Sequence, residues 1–132
     1  FTINGISGDD QAGVSVSSAG DINSDGFDDL LIGAPTASDI ANPTGASYIV
    51  FGGSNFVAEF DLSTLDGNNG FAINGLAPLD ILGISVSAAG DVNNDGADDI
   101  ILGAFAASPN GQMMAGTSYV LFGNAASALD LN

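Results

Sequence analysis

The sequence contains no lysine, arginine, histidine or cysteine among its 132 residues. Its 16 acidic residues give a formal charge of −16, and no basic side chain is present to pair with a carboxylate. Proteins bind nucleic acid through lysine and arginine side chains, which displace counterions from the phosphates. The composition therefore excludes electrostatic binding of nucleic acid, and it disfavours an anionic membrane surface for the same reason.

The missing residue types also bear on catalysis and on membrane insertion. Histidine, cysteine and lysine are the common general bases and nucleophiles, so an enzyme is not expected without them. Paired carboxylates can hydrolyse glycosides, but the acid pairs here lie in loops with another interpretation and Glu59 stands alone. Without cysteine there are no disulfides and no soft-metal sites. No apolar run reaches about 18 residues, so direct membrane insertion is not expected either.

What the chain does contain is an acidic loop that occurs twice. Residues 21–29 and 91–99 each place oxygen-bearing side chains at positions 1, 3, 5 and 9, with glycine at position 6 for a sharp turn. Calcium takes about six to eight oxygen ligands, backbone carbonyls among them. The pattern predicts two Ca²⁺ ions per chain, one held by Asp21, Asn23, Asp25, the Phe27 carbonyl and Asp29, the other by Asp91, Asn93, Asp95, the Ala97 carbonyl and Asp99.

Two alternatives to this interpretation of the loops stay open. An EF-hand needs a bidentate glutamate at position 12 and flanking helices, whereas position 12 is Ile32 or Leu102 here and the flanks are typical of strands. A metal-free acidic turn is the other alternative. Asp28 and Asp98 precede the last ligand of each loop, and we expect them either to accept backbone N–H bonds or to face solvent.

Both loops belong to an internal repeat of 70 residues. Residues 1–33 match residues 71–103 at 18 of 33 positions. Repeat 1 is predicted to span residues 1–70 and repeat 2 to span residues 71–132. Each repeat is predicted to form one propeller blade, and residues 1–5 are predicted to form an outer strand that belongs to a neighbouring blade.

Short apolar runs bounded by glycine, asparagine, aspartate and proline predict strands rather than helices. In the first repeat these strands lie at residues 14–17, 29–33, 47–51 and 71–74, with a short helical turn at 63–65. Four antiparallel strands recurring at this spacing predict an all-β fold made of two β-propeller-type blades.

These residues resemble the FG-GAP repeats of the integrin α-subunit propeller and its bacterial relatives. Phe51-Gly52 and Phe122-Gly123 match the Phe-Gly element of that family, and Gly33-Ala34-Pro35 matches its Gly-Ala-Pro element, just after the calcium loop. The second copy departs from the pattern, since Phe105 replaces the proline. The resemblance implies that both loops bind calcium at the edge of a blade, but it carries over no integrin ligand recognition.

Two blades cannot close a propeller ring, and unpaired sheet edges are a liability. We therefore expect residues 1–5 of one copy to complete the second blade of another copy by strand addition, which gives a head-to-tail ring or filament, unless the chain continues in a longer protein.

The expected function is that of a non-catalytic, extracellular structural or adhesion protein, secreted or at the cell surface, because weak calcium sites suit that calcium-rich setting. Alternatives are a lectin-like propeller module that binds glycans through the loops at 35–45 and 104–115, and a fragment of a larger cell-surface protein. An extracellular protein ligand is the other partner considered.

Overall fold

The computed structural model describes residues 1–38, 41–54 and 57–124. Within these ranges the chain forms nine β-strands, two 3₁₀ turns and no α-helix, which confirms the all-β fold class. The turns are Leu62–Thr64 and Pro109–Gly111. The strands, in chain order, are β1 (Thr2–Asn4), β2 (Ser15–Gly20), β3 (Asp29–Ala34), β4 (Ala46–Val50), β5 (Glu59–Asp61), β6 (Gly70–Asn74), β7 (Leu82–Gly90), β8 (Asp99–Ala104) and β9 (Thr117–Leu121).

The repeats form two antiparallel sheets, and the first sheet takes its last strand, β6, from the start of the second repeat. The first sheet has the order β2-β3-β4-β6 and the second has the order β7-β8-β9. The four strands predicted for the first repeat are therefore found, although β2 starts one residue later than expected and continues to Gly20. The predicted helical turn at 63–65 is the 3₁₀ turn at Leu62–Thr64. The last residues of repeat 2, 125–132, lie outside the described part of the chain.

The structure adds a pairing that the sequence did not predict for the outer strand expected at residues 1–5. β1 pairs in parallel with β5, with Thr2 opposite Glu59 and Asn4 opposite Asp61. Sequence reasoning missed β5 because Glu59–Asp61 is only three residues long and has an acidic residue at each end. One edge of β1 is therefore already occupied within the chain.

The main core lies between the two sheets. Strand β7 runs against β2 and β3, and the apolar residues of both sheets interdigitate there. The largest buried members of this core are Leu31, Ile49, Ile73, Leu82, Ile100, Leu102 and Leu121. A smaller core, which includes Tyr48 and Leu62, covers the other face of the first sheet beneath β1 and β5.

Glycine permits the close approach of the two sheets at one crossing. A Cβ atom on Gly33 would overlap the carbonyl oxygen of Gly83, and a Cβ atom on Gly83 would overlap the carbonyl oxygen of Ala46. The Ser15 hydroxyl donates a hydrogen bond of 2.7 Å to the Gly83 carbonyl at the same place. Backbone contact between the blades thus requires small residues here.

Within the described residues, no helix is long and apolar enough to cross a membrane.

Candidate calcium sites

Each acidic loop connects the first two strands of its sheet. The first loop joins β2 to β3 and the second joins β7 to β8, at the same place in both repeats. The strand register shifts between Ser18 and Gly20, and again between Ala88 and Gly90, so a β-bulge precedes each loop. Such bulges bend a strand and redirect the side chains that follow, in this case those of Asp21 and Asp91.

Backbone hydrogen bonds to its own acidic side chains shape the first loop. The two carboxylate oxygens of Asp21 accept from the N–H groups of Asp25 and Gly26, both at 2.9 Å. The Asn23 side-chain oxygen also accepts from Asp25 N at 3.0 Å, and Asp25 accepts from Phe27 N at 2.9 Å. Gly26 has φ +92°, a conformation that favours glycine.

The second loop repeats this arrangement with different neighbours. Asp91 accepts from the N–H groups of Asp95 and Gly96 at 3.0 and 2.9 Å. Asn93 and Asp95 accept from Asp95 N and Ala97 N, both at 2.9 Å. Since the same bonds form in two copies whose position-7 residues differ in burial, the loop conformation is a property of the motif itself.

The last predicted ligand of each loop is a buried anchor. Asp29 accepts from Ile22 N at 3.0 Å and from Gly52 N at 2.7 Å. Asp99 accepts from Val92 N and from Gly123 N, both at 2.8 Å. Each of these carboxylates therefore ties the start of its loop to the Phe-Gly pair that follows the third strand.

This anchor explains the glycine of the Phe-Gly pair. A Cβ atom on Gly52 would overlap the Asp28 carbonyl oxygen, and one on Gly123 would overlap the Asp98 carbonyl oxygen. Only glycine lets the backbone N–H approach the buried carboxylate closely enough to donate to it.

Electrostatics make the first anchor costly to ionise. Burial is the largest influence on the pKa of Asp29 and raises it, while the hydrogen bonds from Gly52 and Ile22 lower it. The negative charges of Asp25 and Asp21 raise this pKa further. The site therefore concentrates negative charge next to a carboxylate that has little access to water.

The donor set of each loop fits calcium chemically, since it contains carboxylate, amide and backbone oxygens and no nitrogen or sulfur ligand. Phe27 and Ala97 belong to it through their backbone alone. The structure holds the side chains at positions 1, 3 and 5 on one tight turn, while Asp29 and Asp99 point inward to backbone N–H groups. Among the described residues, no group of three or more acidic side chains converges closely enough to hold a metal ion. Calcium binding thus stays a prediction.

Asp98 has a role that sequence reasoning did not assign specifically. Its carboxylate accepts from the backbone N–H of Asp21 in the other blade at 2.9 Å, and its own N–H donates to the Asp21 carbonyl at 3.2 Å. The equivalent Asp28 is exposed. The two acids therefore share a sequence context but differ in whether the acidic loop of a preceding blade lies within reach.

Comparison with known proteins agrees with this loop and strand arrangement. The model of the FG-GAP repeat matches residues 12–50, which contain the first acidic loop and strands β2 to β4. The chain belongs to the FG-GAP repeat family. Its two sheets are accordingly β-propeller blades, the first with four strands and the second with three among the described residues.

Several curated proteins are similar to this FG-GAP chain. Integrin alpha-5 of Xenopus laevis is 35% identical over 97 residues, covering 70% of the chain and 8% of the integrin. Integrin alpha-3 of Cricetulus griseus is 36% identical over 87 residues, covering 64% of the chain and 7% of the integrin. Phosphatidylinositol-glycan-specific phospholipase D of Bos taurus is 31% identical over 105 residues, covering 79% of the chain and 12% of that protein. The chain thus spans a small part of each relative.

Proposed function

We propose that this FG-GAP chain is a calcium-stabilised, non-catalytic structural or adhesion module that works outside the cell or at its surface. The observation that carries the proposal is the duplicated loop, in which acidic side chains are fixed by the backbone while the sequence contains no basic side chain to offset them. A divalent cation is the natural counter-charge for such a loop.

The chain's own residues prepare the loop for the ion. Bonds from the loop backbone hold Asp21 and Asn23 on one turn, and the buried Asp29 fixes where that turn begins. Bound calcium would supply positive charge to these carboxylates. Because binding favours the folded state, each site would add about 2.7 kcal/mol of stability at 100 times the dissociation constant.

Thermal unfolding with and without calcium tests this proposal. We expect calcium to raise the melting temperature and a chelator to reverse the rise. The double substitution Asp25→Asn with Asp95→Asn should abolish the calcium effect. Asp9→Asn removes a carboxylate outside the loops and should retain the effect. An unchanged melt across calcium and excess chelator would rule out calcium stabilisation.

The non-catalytic part of the proposal rests on chemistry. The chain has no histidine, cysteine, lysine or arginine, so the usual bases and nucleophiles are missing. One relative is by name a phospholipase D, but the chain spans only 12% of its length. A phospholipase D assay on the isolated chain would detect any activity of its own.

The internal repeat gives the proposed head-to-tail assembly a definite register. β6 lies beside β4 with Ala72 opposite Tyr48. β1 is the repeat equivalent of β6, and β9 is the repeat equivalent of β4. Strand β1 of a second copy would therefore lie beside β9 with its Thr2 opposite Tyr119, while its other edge keeps its pairing to β5.

Cysteine cross-linking tests this register cleanly, because the chain has no cysteine of its own. Opposed antiparallel residues have Cα atoms about 4.5–5.5 Å apart, which is within reach of a disulfide. Thr2→Cys combined with Tyr119→Cys should give covalent oligomers under oxidation. Thr2→Cys combined with Ser118→Cys places the second sulfur on the opposite face of the strand and should give few. Exclusively monomeric product from the first pair would refute this assembly.

One observation favours a glycan-binding role as a second candidate. A cleft of about 770 Å³ lies beside the loop at 104–115 and is lined by Phe105, Met113, Met114 and Tyr119 among others. Phe105 is 53% exposed, so an aromatic face is available for stacking on a sugar ring. A glycan array compared with that of Phe105→Ala would test it. No glycan-dependent signal, or the same signal from both proteins, would dismiss this candidate.

A further inference from the structure

The two blades of this chain are joined by hydrogen bonds between their acidic loops. Asp98 accepts from Asp21 N at 2.9 Å and donates its own N–H to the Asp21 carbonyl at 3.2 Å. Asn124 N donates to the Ile22 carbonyl at 2.8 Å. The C-terminal end of the second loop is thus hydrogen-bonded to the N-terminal end of the first loop.

The same two loop ends are exposed where the described residues provide no adjoining blade. Ile22 is 4% exposed under the second blade, while its equivalent Val92 is 57% exposed. Ala97 in the second blade is 2% exposed, while its equivalent Phe27 in the first blade is 46% exposed. One chain therefore exposes both surfaces of such a loop contact, one around Val92 and the other around Phe27.

The room above the second acidic loop is also consistent with an unoccupied contact surface there. A Cβ atom on Gly20 would overlap the Asp98 carboxylate, because that carboxylate crosses over Gly20. At the equivalent Gly90, which has the same φ of +67°, no atom lies within 4 Å of such a Cβ position. The approach used by Asp98 on the first loop is thus open on the second loop.

One apolar face of the second sheet is also exposed. Leu31 and Ile49 are fully buried between the blades, whereas their equivalents Ile101 and Val120 are 39% and 44% exposed. Phe122, the residue that directly follows β9, is also exposed. The outer face of the second blade is therefore the face that, in the first blade, packs against the next blade.

We propose that a second copy of this chain covers this face, with its Asp28 carboxylate accepting from the backbone N–H of Asp91. The contact continues the interface that joins the two blades within one chain. The side chains are also complementary in size, since the two buried loop ends within the chain carry Ile22 and the small Ala97, whereas the joint between copies would bring together the smaller Val92 and the larger Phe27.

The proposal rests on the head-to-tail assembly proposed above and adds a second contact to it. Within one chain, β6 completes the first sheet, and Asp98 bonds to Asp21 in the same arrangement of the two blades. Strand addition by β1 and the Asp28 bond are therefore two parts of one docking arrangement. Calcium in the second loop would lie at the joint between copies, so its removal should weaken association.

Sedimentation of the 132-residue protein in calcium at increasing concentration tests this contact. We expect wild type to associate, and Asp28→Ala to raise the dissociation constant of association about tenfold or more, since a hydrogen bond to a charged group is lost. Val120→Asp should block association by placing a charge on the apolar face. The melting temperature of the monomer should be little changed in either variant.

Two matched controls separate this contact from general damage. Asp98→Ala breaks the equivalent bond inside the chain, so it should lower the melting temperature and leave association intact. Met113→Asp adds a charge at a side chain that is 86% exposed in the loop outside this face, and it should associate like wild type.

If wild type associates and the Thr2–Tyr119 cross-link forms, but Asp28→Ala associates equally well, the loop contact is refuted and the assembly stands. A wild type that is monomeric at every concentration refutes the second copy as occupant. Calcium-dependent melting of that monomer would still support the calcium role.

Discussion

The substitution Asp29→Asn separates a structural role of the acidic loop from its calcium role. Both oxygens of the buried Asp29 side chain accept from backbone N–H groups, from Ile22 at 3.0 Å and from Gly52 at 2.7 Å. An asparagine keeps the shape but replaces one oxygen with an NH₂ group, which cannot accept. One backbone N–H then loses its partner in a buried place.

The expected cost is a loss of about 2 kcal/mol in the free energy of unfolding. A hydrogen bond to a charged group contributes about 1.5–3 kcal/mol, and the relief from burying a carboxylate charge offsets part of that loss. For a domain of this size, the change corresponds to a fall of roughly 5–10 °C in melting temperature.

The decisive measurement is made in excess chelator, where no calcium contributes. Asp29→Asn should still melt well below wild type there, because the anchor acts without the ion. Asp25→Asn changes an exposed side chain and should shift the free energy of unfolding by only about 0.5 kcal/mol under the same conditions. If Asp29→Asn melts like wild type in chelator, or if both variants lose equal stability, the anchor role is refuted.

Three further predictions concern backbone conformation and pH. Ser24 has φ +59° where the second loop has Asn94, a residue that tolerates this conformation, so Ser24→Asn should raise the free energy of unfolding by about 0.5 kcal/mol in a denaturant titration. Gly83→Ala should lower the melting temperature far more than Gly90→Ala, because both have positive φ but only Gly83 lies against another blade. In chelator, the melting temperature should rise as the pH is lowered from neutral toward about 4, the ordinary pKa of an aspartate. The raised pKa of Asp29 means that the folded state binds its proton more tightly than the unfolded chain, so ionisation at neutral pH costs stability.

Each of these predictions has an outcome that would contradict it. Lower stability of Ser24→Asn would show that the first loop does not benefit from asparagine at this position. Equal losses for the two glycine variants would mean that the blades do not approach closely at Gly83. A melting temperature that falls steadily from neutral pH downward would show that burial of Asp29 does not dominate its titration.

The local elements followed from the sequence because their causes are local. Alternating apolar residues and turn-forming residues place β3 and β4 to within a residue of their predicted positions. The bonds inside the acidic loop also connect neighbours in sequence, such as Asp21 with Gly26, so the motif specifies them. A copy 70 residues later showed that the motif recurs as a unit of the fold.

The remaining features depend on residues far apart in the chain. Strand β5 is short and is held by β1, which lies 57 positions earlier in the register from Thr2 to Glu59. Asp98 contacts Asp21 across 77 positions, whereas its twin Asp28 is exposed. Nothing in the sequence near either acid predicts this difference, because it arises from which blade lies next to it.

The sequence by itself therefore determined the all-β blades, the twin acidic loops and the expectation of calcium, since spacing and residue type act over a few positions. Only the tertiary structure decided that Asp29 and Asp99 are buried anchors, that β1 pairs with β5, and that Asp98 lies at the joint between the two blades while Asp28 is exposed. These features arise where separate sheets meet, and the backbone N–H groups that need acceptors there come from distant parts of the chain.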